Sequence, residues 1–431
     1  MGIIGRMRRP LEDHHLLLMA FFVAILLQRA VVESGALNDT RYRHTSSLRL
    51  ERIKRHLEKI NKPPVLTIES PDGDLIDCVD ERKQLAFDHP LLKNHKIQKM
   101  PTEMPGGMKV ERDTSDMEGE GISQMWHLNG TRCPKGTVPI RRTTVQDVLR
   151  AKSLYHFGKK RSRVSLSRRN DALDILGNNG HEYAVAYTES SQNIFGAKAT
   201  INVWDPSIQV RGEFSLSQIW VLSGAFEGPD LNSIEAGWQV SPKLYGDNRP
   251  RLFSYWTRDT YRSTGCYNLL CAGFVQKDAR ISIGAAISPL SSYAGKQYDI
   301  SILVWKDPKE GNWWMSFGAN TLIGYWPKEL FTNLADHATA VEWGGEVVNT
   351  RTNGQHTFTQ MGSGHFAEEG FGKASYFRNL QLVDSNNKLI QAQDVSTLAP
   401  NSNCYNIKMD NSNDWGTFFF YGGPGNNPKC P

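Results

Sequence analysis

From His181 onward the chain is a succession of short segments in which apolar and polar residues alternate, punctuated by Gly, Pro, Asn and Asp. The segments His181–Thr188, Lys198–Val203, Gln218–Leu222, Ala272–Gln276, Gln297–Val304, Thr339–Val348 and Gly416–Tyr421 read as strands. Successive side chains on a strand point to opposite faces, so each segment offers one face to a core and one to something else. No long helical period interrupts the series, and no repeat recurs at a fixed spacing. Recurring strands with this punctuation predict an all-β sandwich or barrel.

The N-terminal half differs. Ser46 to Asn61 reads as a short basic amphipathic helix, with Leu50, Ile53, Leu57 and Ile60 at helical spacing and Pro63-Pro64 stopping it. Val65–Glu69 and Leu75–Val79 flank Pro71-Asp72-Gly73, a hairpin signal. Thr102 to Gly121 is acidic and Met- and Gly-rich, a loop, and Thr144 to Lys152 is helix-like. This half is a small mixed α/β unit, too broken for an enzyme core. Between Phe157 and Gly180 the run Lys159-Lys160-Arg161-Ser162-Arg163, then Arg168-Arg169 and Gly177-Asn178-Asn179-Gly180, has the composition of a protease-accessible linker.

The first 36 residues read as a signal peptide. Arg6, Arg8 and Arg9 precede an apolar run from Leu16 to Leu27, shorter than the ~20 residues a bilayer span needs, and Ser34-Gly35-Ala36 supplies small residues for cleavage. The expected product is secreted, extracellular or in a cell wall, with no membrane attachment after cleavage. Six cysteines suit that compartment, and sequence proximity pairs Cys78 with Cys133, Cys266 with Cys271 and Cys404 with Cys430. Asn38 and Asn129 begin glycosylation acceptors. A diffuse net charge of +5 on 431 residues gives no reason to expect a nucleic-acid partner. No spacing suggests a metal or other cofactor.

Nucleophile and phosphate motifs are absent: there is no Gly-x-Ser-x-Gly and no His-Glu-x-x-His, and the paired cysteines leave no thiol nucleophile. Carboxylates remain. In Asn232–Val240, alternation puts Ile234, Ala236, Trp238 and Val240 on one face and Ser233, Glu235, Gly237 and Gln239 on the other. In Ala338–Val347, Val341, Trp343 and Val347 share one face, while Glu342, Gly344 and Glu346 share the other. Small residues beside an acid leave room above a sheet. Two carboxylates in different environments can divide acid and base work, on a peptide or on a glycosidic bond.

Several longer motifs resemble the plant neprosin family: Asn232–Val240 followed by Leu244-Tyr245-Gly246-Asp247, Thr264–Cys271, Val341–Glu346, Met361–Phe366, Glu368–Phe377 and Phe420–Gly425. Ser70–Asp74 to Cys78 and Cys133–Thr137 resemble the family's activation-peptide region. The resemblance implies a zymogen: signal peptide 1–36, activation propeptide 37–165, processed linker 166–180, and a catalytic sandwich of two curved antiparallel sheets over 181–431. It implies a glutamic endopeptidase cutting after proline at acidic pH, with a proline-containing peptide as substrate and its own propeptide as intramolecular inhibitor. Glu235 matches the first catalytic acid. Glu342 is taken as the second, on the Glu-Trp step, with Glu346 as the alternative. The aromatic residues considered for a proline slot are Trp238, Trp256, Trp313, Trp314 and Tyr325, none of them assigned. The rival readings are an inactive wall- or carbohydrate-binding sandwich and a glycoside hydrolase.

Overall fold

A computed structural model describes residues 47–107, 122–160, 180–188, 193–226, 228–318, 320–351 and 354–431. The expected signal peptide, Asn38, and positions 161–179 of the basic linker lie outside them, and of Asn129 only the backbone, in a 3-10 turn, is described. The chain divides into two compact units, 1–58 and 59–431. In the first, residues 47–58 are helical, as the Leu50/Ile53/Leu57 spacing predicts.

The second unit begins with the expected hairpin. Strand β1 (Pro64–Glu69) turns through Gly73, at φ +90°, into β2 (Leu75–Asp80), and β3 (Thr137–Arg141) completes a three-stranded antiparallel sheet. Asp72 is N-terminal to a glycine that takes the left-handed conformation without a Cβ penalty, which fixes the turn. Helix α1 (Val145–Leu149) follows, opened by Thr144, whose hydroxyl accepts from the Asp147 amide while Asp147 accepts from the Thr144 amide. This reciprocal cap is what makes five residues helical between two loops. Cys78–Cys133 ties β2 to the segment before β3.

The rest is an antiparallel β-sandwich. Its first sheet contains β4 (His181–Thr188), β5 (Ser215–Ser223), β6 (Asn232–Val240), β7 (Arg251–Thr257), β8 (Ala340–Val348) and β9 (Val395–Leu398), in the order β9-β4-β8-β5-β6-β7. The second sheet runs Val275–Gln276, Thr321–Trp326, Trp313–Phe317, Asp299–Lys306, Gly196–Asn202, Ser375–Val383, Gly416–Gly422 and Asn406–Ser412, with Leu389–Gln391 beside Ser375–Val383. The core lies between them. Ile234, Ala236, Trp238, Val240, Val341, Trp343 and Val347 meet Ala197, Ala199, Ile201, Ile302, Val304 and Phe377 of the facing sheet in one continuous cluster. Alternation therefore placed the inward faces of β6 and β8 correctly. Each large apolar side chain buried there contributes about 1.5–3 kcal/mol. The other two disulfides are Cys266–Cys271 and Cys404–Cys430, and no described cysteine is free.

The small residues on the opposite face have a stricter role than leaving room. A Cβ on Gly237 would lie 2.0 Å from the Ser217 carbonyl oxygen, and one on Gly344 would lie 2.3 Å from the Ala184 carbonyl oxygen. Neighbouring backbone occupies those positions. Gly237→Ala is therefore expected to destabilise the sandwich by at least the ~1–3 kcal/mol typical of overpacking. The check is urea unfolding, with a lower midpoint at unchanged slope.

Candidate active site

Every residue of β5, β6 and β7 is buried, on both faces. The face turned away from the core carries an aromatic cluster of Tyr183, Trp220, Phe253, Tyr255, Tyr261 and Tyr267, with Leu216 and Leu222. Tyr267 is brought there by the short loop that Cys266–Cys271 closes. Its ring stands edge-on to Tyr255 at 4.8 Å, and its backbone bridges to Tyr255. None of the five aromatics considered for a substrate slot lies here. Trp238, Trp256 and Trp313 are in the main core, and Trp314 and Tyr325 are in a separate cluster with Trp305 and Leu303 of the second sheet.

Glu235 sits in this aromatic face with no exposed surface. Its Oε1 accepts from the Tyr261 hydroxyl at 2.7 Å and from Ser233 Oγ at 3.1 Å, and its Oε2 accepts from Gln218 Nε2 at 3.0 Å. Glu346 is equally buried; its Oε1 lies 2.5 Å from His181 Nδ1 and accepts from Tyr183 OH at 3.5 Å. Between the two acids lies an ammonium: Lys160 Nζ is 2.5 Å from Glu235 Oε2 and 3.4 Å from Glu346 Oε2. The two Oε2 atoms are thus less than about 6 Å apart, by the sum of those distances. Lys160 is itself buried, over the rings of Tyr255 and Tyr261.

The strand register explains which acids meet. Glu342 and Glu235 both stand opposite Trp220, so that a fully buried indole fills the row between them. Glu346 stands opposite Leu216, four residues along, and reaches Lys160 on the diagonal. The row crossed by that diagonal is Gly344, Gln218 and Gly237, whose glycines add no side chain. The right-handed twist of a sheet shortens one diagonal. Glu342 is half-buried and is not the acid that Lys160 joins to Glu235. The geometry pairs Glu235 with Glu346, the alternative position, rather than with Glu342.

Lys160 belongs to the basic stretch expected to be an exposed linker, and here that expectation fails. Residues 150–160 form a strap from the turn before β7 to the loop that follows it. Arg150 donates to the carbonyls of Lys243 and Leu244, Tyr155 OH to that of Arg262, and Lys159 Nζ to that of Ser263. The Tyr267 amide donates to the Gly158 carbonyl at 2.8 Å, and the Lys160 amide to Tyr255 OH at 3.2 Å. The sequence reading missed Lys160, His181, Gln218, Tyr183 and Tyr261. Gln218 and Tyr183 were legible in principle, as polar residues on the acid-bearing face of predicted strands.

An earlier part of the N-terminal half reaches the second sheet. Asp307 accepts from the Thr102 amide and hydroxyl, both at 2.5 Å, and from Gln98 Nε2 at 2.8 Å. Burial alone pushes the Asp307 carboxyl up, but those bonds and the Glu310 amide outweigh it and hold the carboxyl below its ordinary range.

A family model described as Neprosin matches residues 211–424, and one described as Neprosin activation peptide matches residues 67–187. Among solved structures the chain is similar to Scytalido-glutamic peptidase with a peptide based transition state analog, at 13% identity, covering 57% of this chain and 98% of that one with a TM-score of 0.30. It is also similar to SCP-B, a member of the Eqolisin family of peptidases in complex with the tripeptide Ala-Ile-His, at 12% identity, covering 56% and 97% with a TM-score of 0.28. A third similarity is to the β-porphyranase BpGH16B from the human gut bacterium Bacteroides plebeius, at 7% identity, covering 37% and 55% with a TM-score of 0.20. The two family models together match residues 67–187 and 211–424, most of the sandwich and the segment that precedes it, and the chain belongs to the neprosin family, activation peptide included.

Proposed function

We propose that this protein is the secreted zymogen of a glutamic endopeptidase in which Glu235 and Glu346 hydrolyse peptide bonds and Lys160 keeps them silent. The observation that carries the reading is the single buried ammonium between two buried carboxylates, delivered by the segment that matches an activation peptide. Glu235, with three donors from Gln218, Ser233 and Tyr261, is suited to carry charge and is assigned as the base. It deprotonates a water held between the two acids. Glu346, protonated, polarises the scissile carbonyl and then hands its proton to the leaving amine. The nucleophile is water, so no acyl-enzyme forms. One acid must stay protonated, so activity is greatest at acidic pH and fades as both ionise.

Cleavage after proline is part of this proposal, supported by family membership and by an aromatic face suited to an apolar ring. Digesting a proteome-derived peptide library with the processed protein at pH 3 to 7 and sequencing the products by mass spectrometry tests it. Acid-dependent cuts after proline are expected, and cuts without that preference would remove the prolyl assignment. No cuts at all would favour the binding-protein reading.

Acid also loosens the N-terminal half in this account. The Thr102 and Gln98 contacts lower the Asp307 carboxyl in the docked state, whereas the Glu310 amide remains after undocking. A carboxyl depressed by docking contributes docking energy above its undocked value, and that contribution is lost as pH falls through the docked one. Protection of the amides over 98–104, relative to their intrinsic exchange rates, is expected to fall below about pH 4, near the ordinary Asp value. In Asp307→Asn, protection is expected to be weak already at pH 7 and much flatter with pH.

A further inference from the structure

The acid-bearing face holds a guanidinium that the proposed chemistry does not use. Arg251 opens β7 on the same face as Glu235, opposite Gln239. Gln239 lies four residues beyond Glu235 on β6, about 13 Å at ~3.3 Å per residue. Arg251 is 1% exposed. Its Nε and Nη2 donate to Asp247 at 3.3 and 2.6 Å, and its Nη1 donates to the Gly284 carbonyl at 2.8 Å. The Tyr245 ring lies 4.9 Å from the guanidinium carbon. These partners all belong to the sandwich. The remaining one does not: Asp74, in the β1–β2 turn, accepts from Nη1 at 2.5 Å and from Nη2 at 3.4 Å, and also from Arg141 Nε at 2.8 Å.

We propose that Arg251 is a carboxylate-binding subsite of the processed enzyme, taking an Asp or Glu side chain of the substrate about four residues from the scissile bond. In the zymogen Asp74 occupies that subsite, as Lys160 occupies the space between the two glutamates. The proposal rests on the peptidase reading above. Two features go beyond an ion pair that merely holds the β1–β2 hairpin to the sandwich. Arg251 keeps its orientation from Asp247 and Gly284 when Asp74 leaves, so the fork is preformed rather than collapsed. Arg251 also lies on the same face of the sheet as Glu235, one strand over and four residues along. A buried guanidinium stripped of a carboxylate is costly until another takes its place, and two N–H donors match a carboxylate's two oxygens.

The test uses the processed protein and peptides with one fixed scissile bond, in which Asp is scanned two to six residues away on either side, each against Asn. At pH 5 a peptide Asp, ordinarily near 3.9, is ionised. One position about four residues away is expected to show a kcat/KM for Asp about ten-fold above Asn, within the reach of a charge-assisted bond and mostly in KM. In Arg251→Gln the ratio should fall to near one. It should also fall for the wild type in 0.5 M salt. Asp247→Asn, which keeps an acceptor oxygen to orient the fork but removes the competing charge, should raise it, and with the salt series keeps the test alive if Arg251→Gln does not fold. A flat Asp/Asn ratio at every position with normal cleavage overturns the subsite alone. An elevated ratio that Arg251→Gln and Asp247→Asn leave untouched overturns it too. Cleavage of neither peptide overturns the subsite and the peptidase reading together.

Discussion

Glu346→Gln in the processed protein is expected to lower kcat on a proline-containing peptide by about 10²- to 10⁴-fold, the usual contribution of a positioned acid or base. Glu342→Gln should retain most of the rate. The contrast follows from register. Trp220 fills the row between Glu235 and Glu342, whereas the diagonal to Glu346 crosses two glycines and ends on the same ammonium. The substitution keeps size and hydrogen bonding to His181 and Tyr183, so a thermal midpoint near that of the wild type will separate lost chemistry from lost folding. Equal loss in both variants would place the second acid at neither position uniquely and remove the register argument.

Lys160→Met is expected to release latency without cleavage. Removing one partner of a buried ion pair costs about 3–5 kcal/mol, because it strands the other charge. Here two carboxylates would be stranded together, and like charges that close favour separation from the strap or uptake of a proton. At 1.36 kcal/mol per factor of ten, the lower end of that cost corresponds to about a hundred-fold larger population with the strap lifted. With the linker made uncleavable, the variant zymogen should therefore hydrolyse peptide at pH 4 at least ten-fold faster than the wild-type zymogen. Lys160→Arg should stay latent, since a cation remains, and that separates charge from packing. An inactive Lys160→Met zymogen would mean that the remaining strap contacts, from Arg150 to Lys159, suffice to block the face.

The sandwich was legible because its evidence is local. Period-2 alternation in Asn232–Val240 and Ala340–Val348 names the residues that enter the core, and the structure buries those same residues. The hairpin at Asp72-Gly73 and the Thr144/Asp147 cap are likewise written in neighbouring residues. Strand lengths were less legible: only Val275–Gln276 of the Ala272–Gln276 segment is strand, where the register of its partner strand with the next one shifts beside Gly324.

The candidate site was half legible. Glu235 could be found from its strand, since an acid among small residues on a strand stands out. Choosing between Glu342 and Glu346 needed the offset between strands more than a hundred residues apart, which no single segment encodes. Lys160 was harder still. In sequence it is one lysine of a basic run, and only docking against Tyr255, Tyr261 and the two glutamates turns it from a solvated residue into a buried one. The aromatic face was misjudged for a similar reason. Tryptophans drew attention, but four of the six aromatic rings of the face are tyrosines, Tyr267 placed by a disulfide loop and Tyr261 at φ +59°.

One comparison bears most directly on the central claim: cleavage of a single proline-containing peptide at pH 4 by the intact zymogen, the processed wild type and processed Glu235→Gln, followed together by mass spectrometry. The account predicts products from the processed wild type alone. Cleavage by Glu235→Gln at the wild-type rate would contradict it, because the carboxylate that Lys160 covers would then have no part in the reaction.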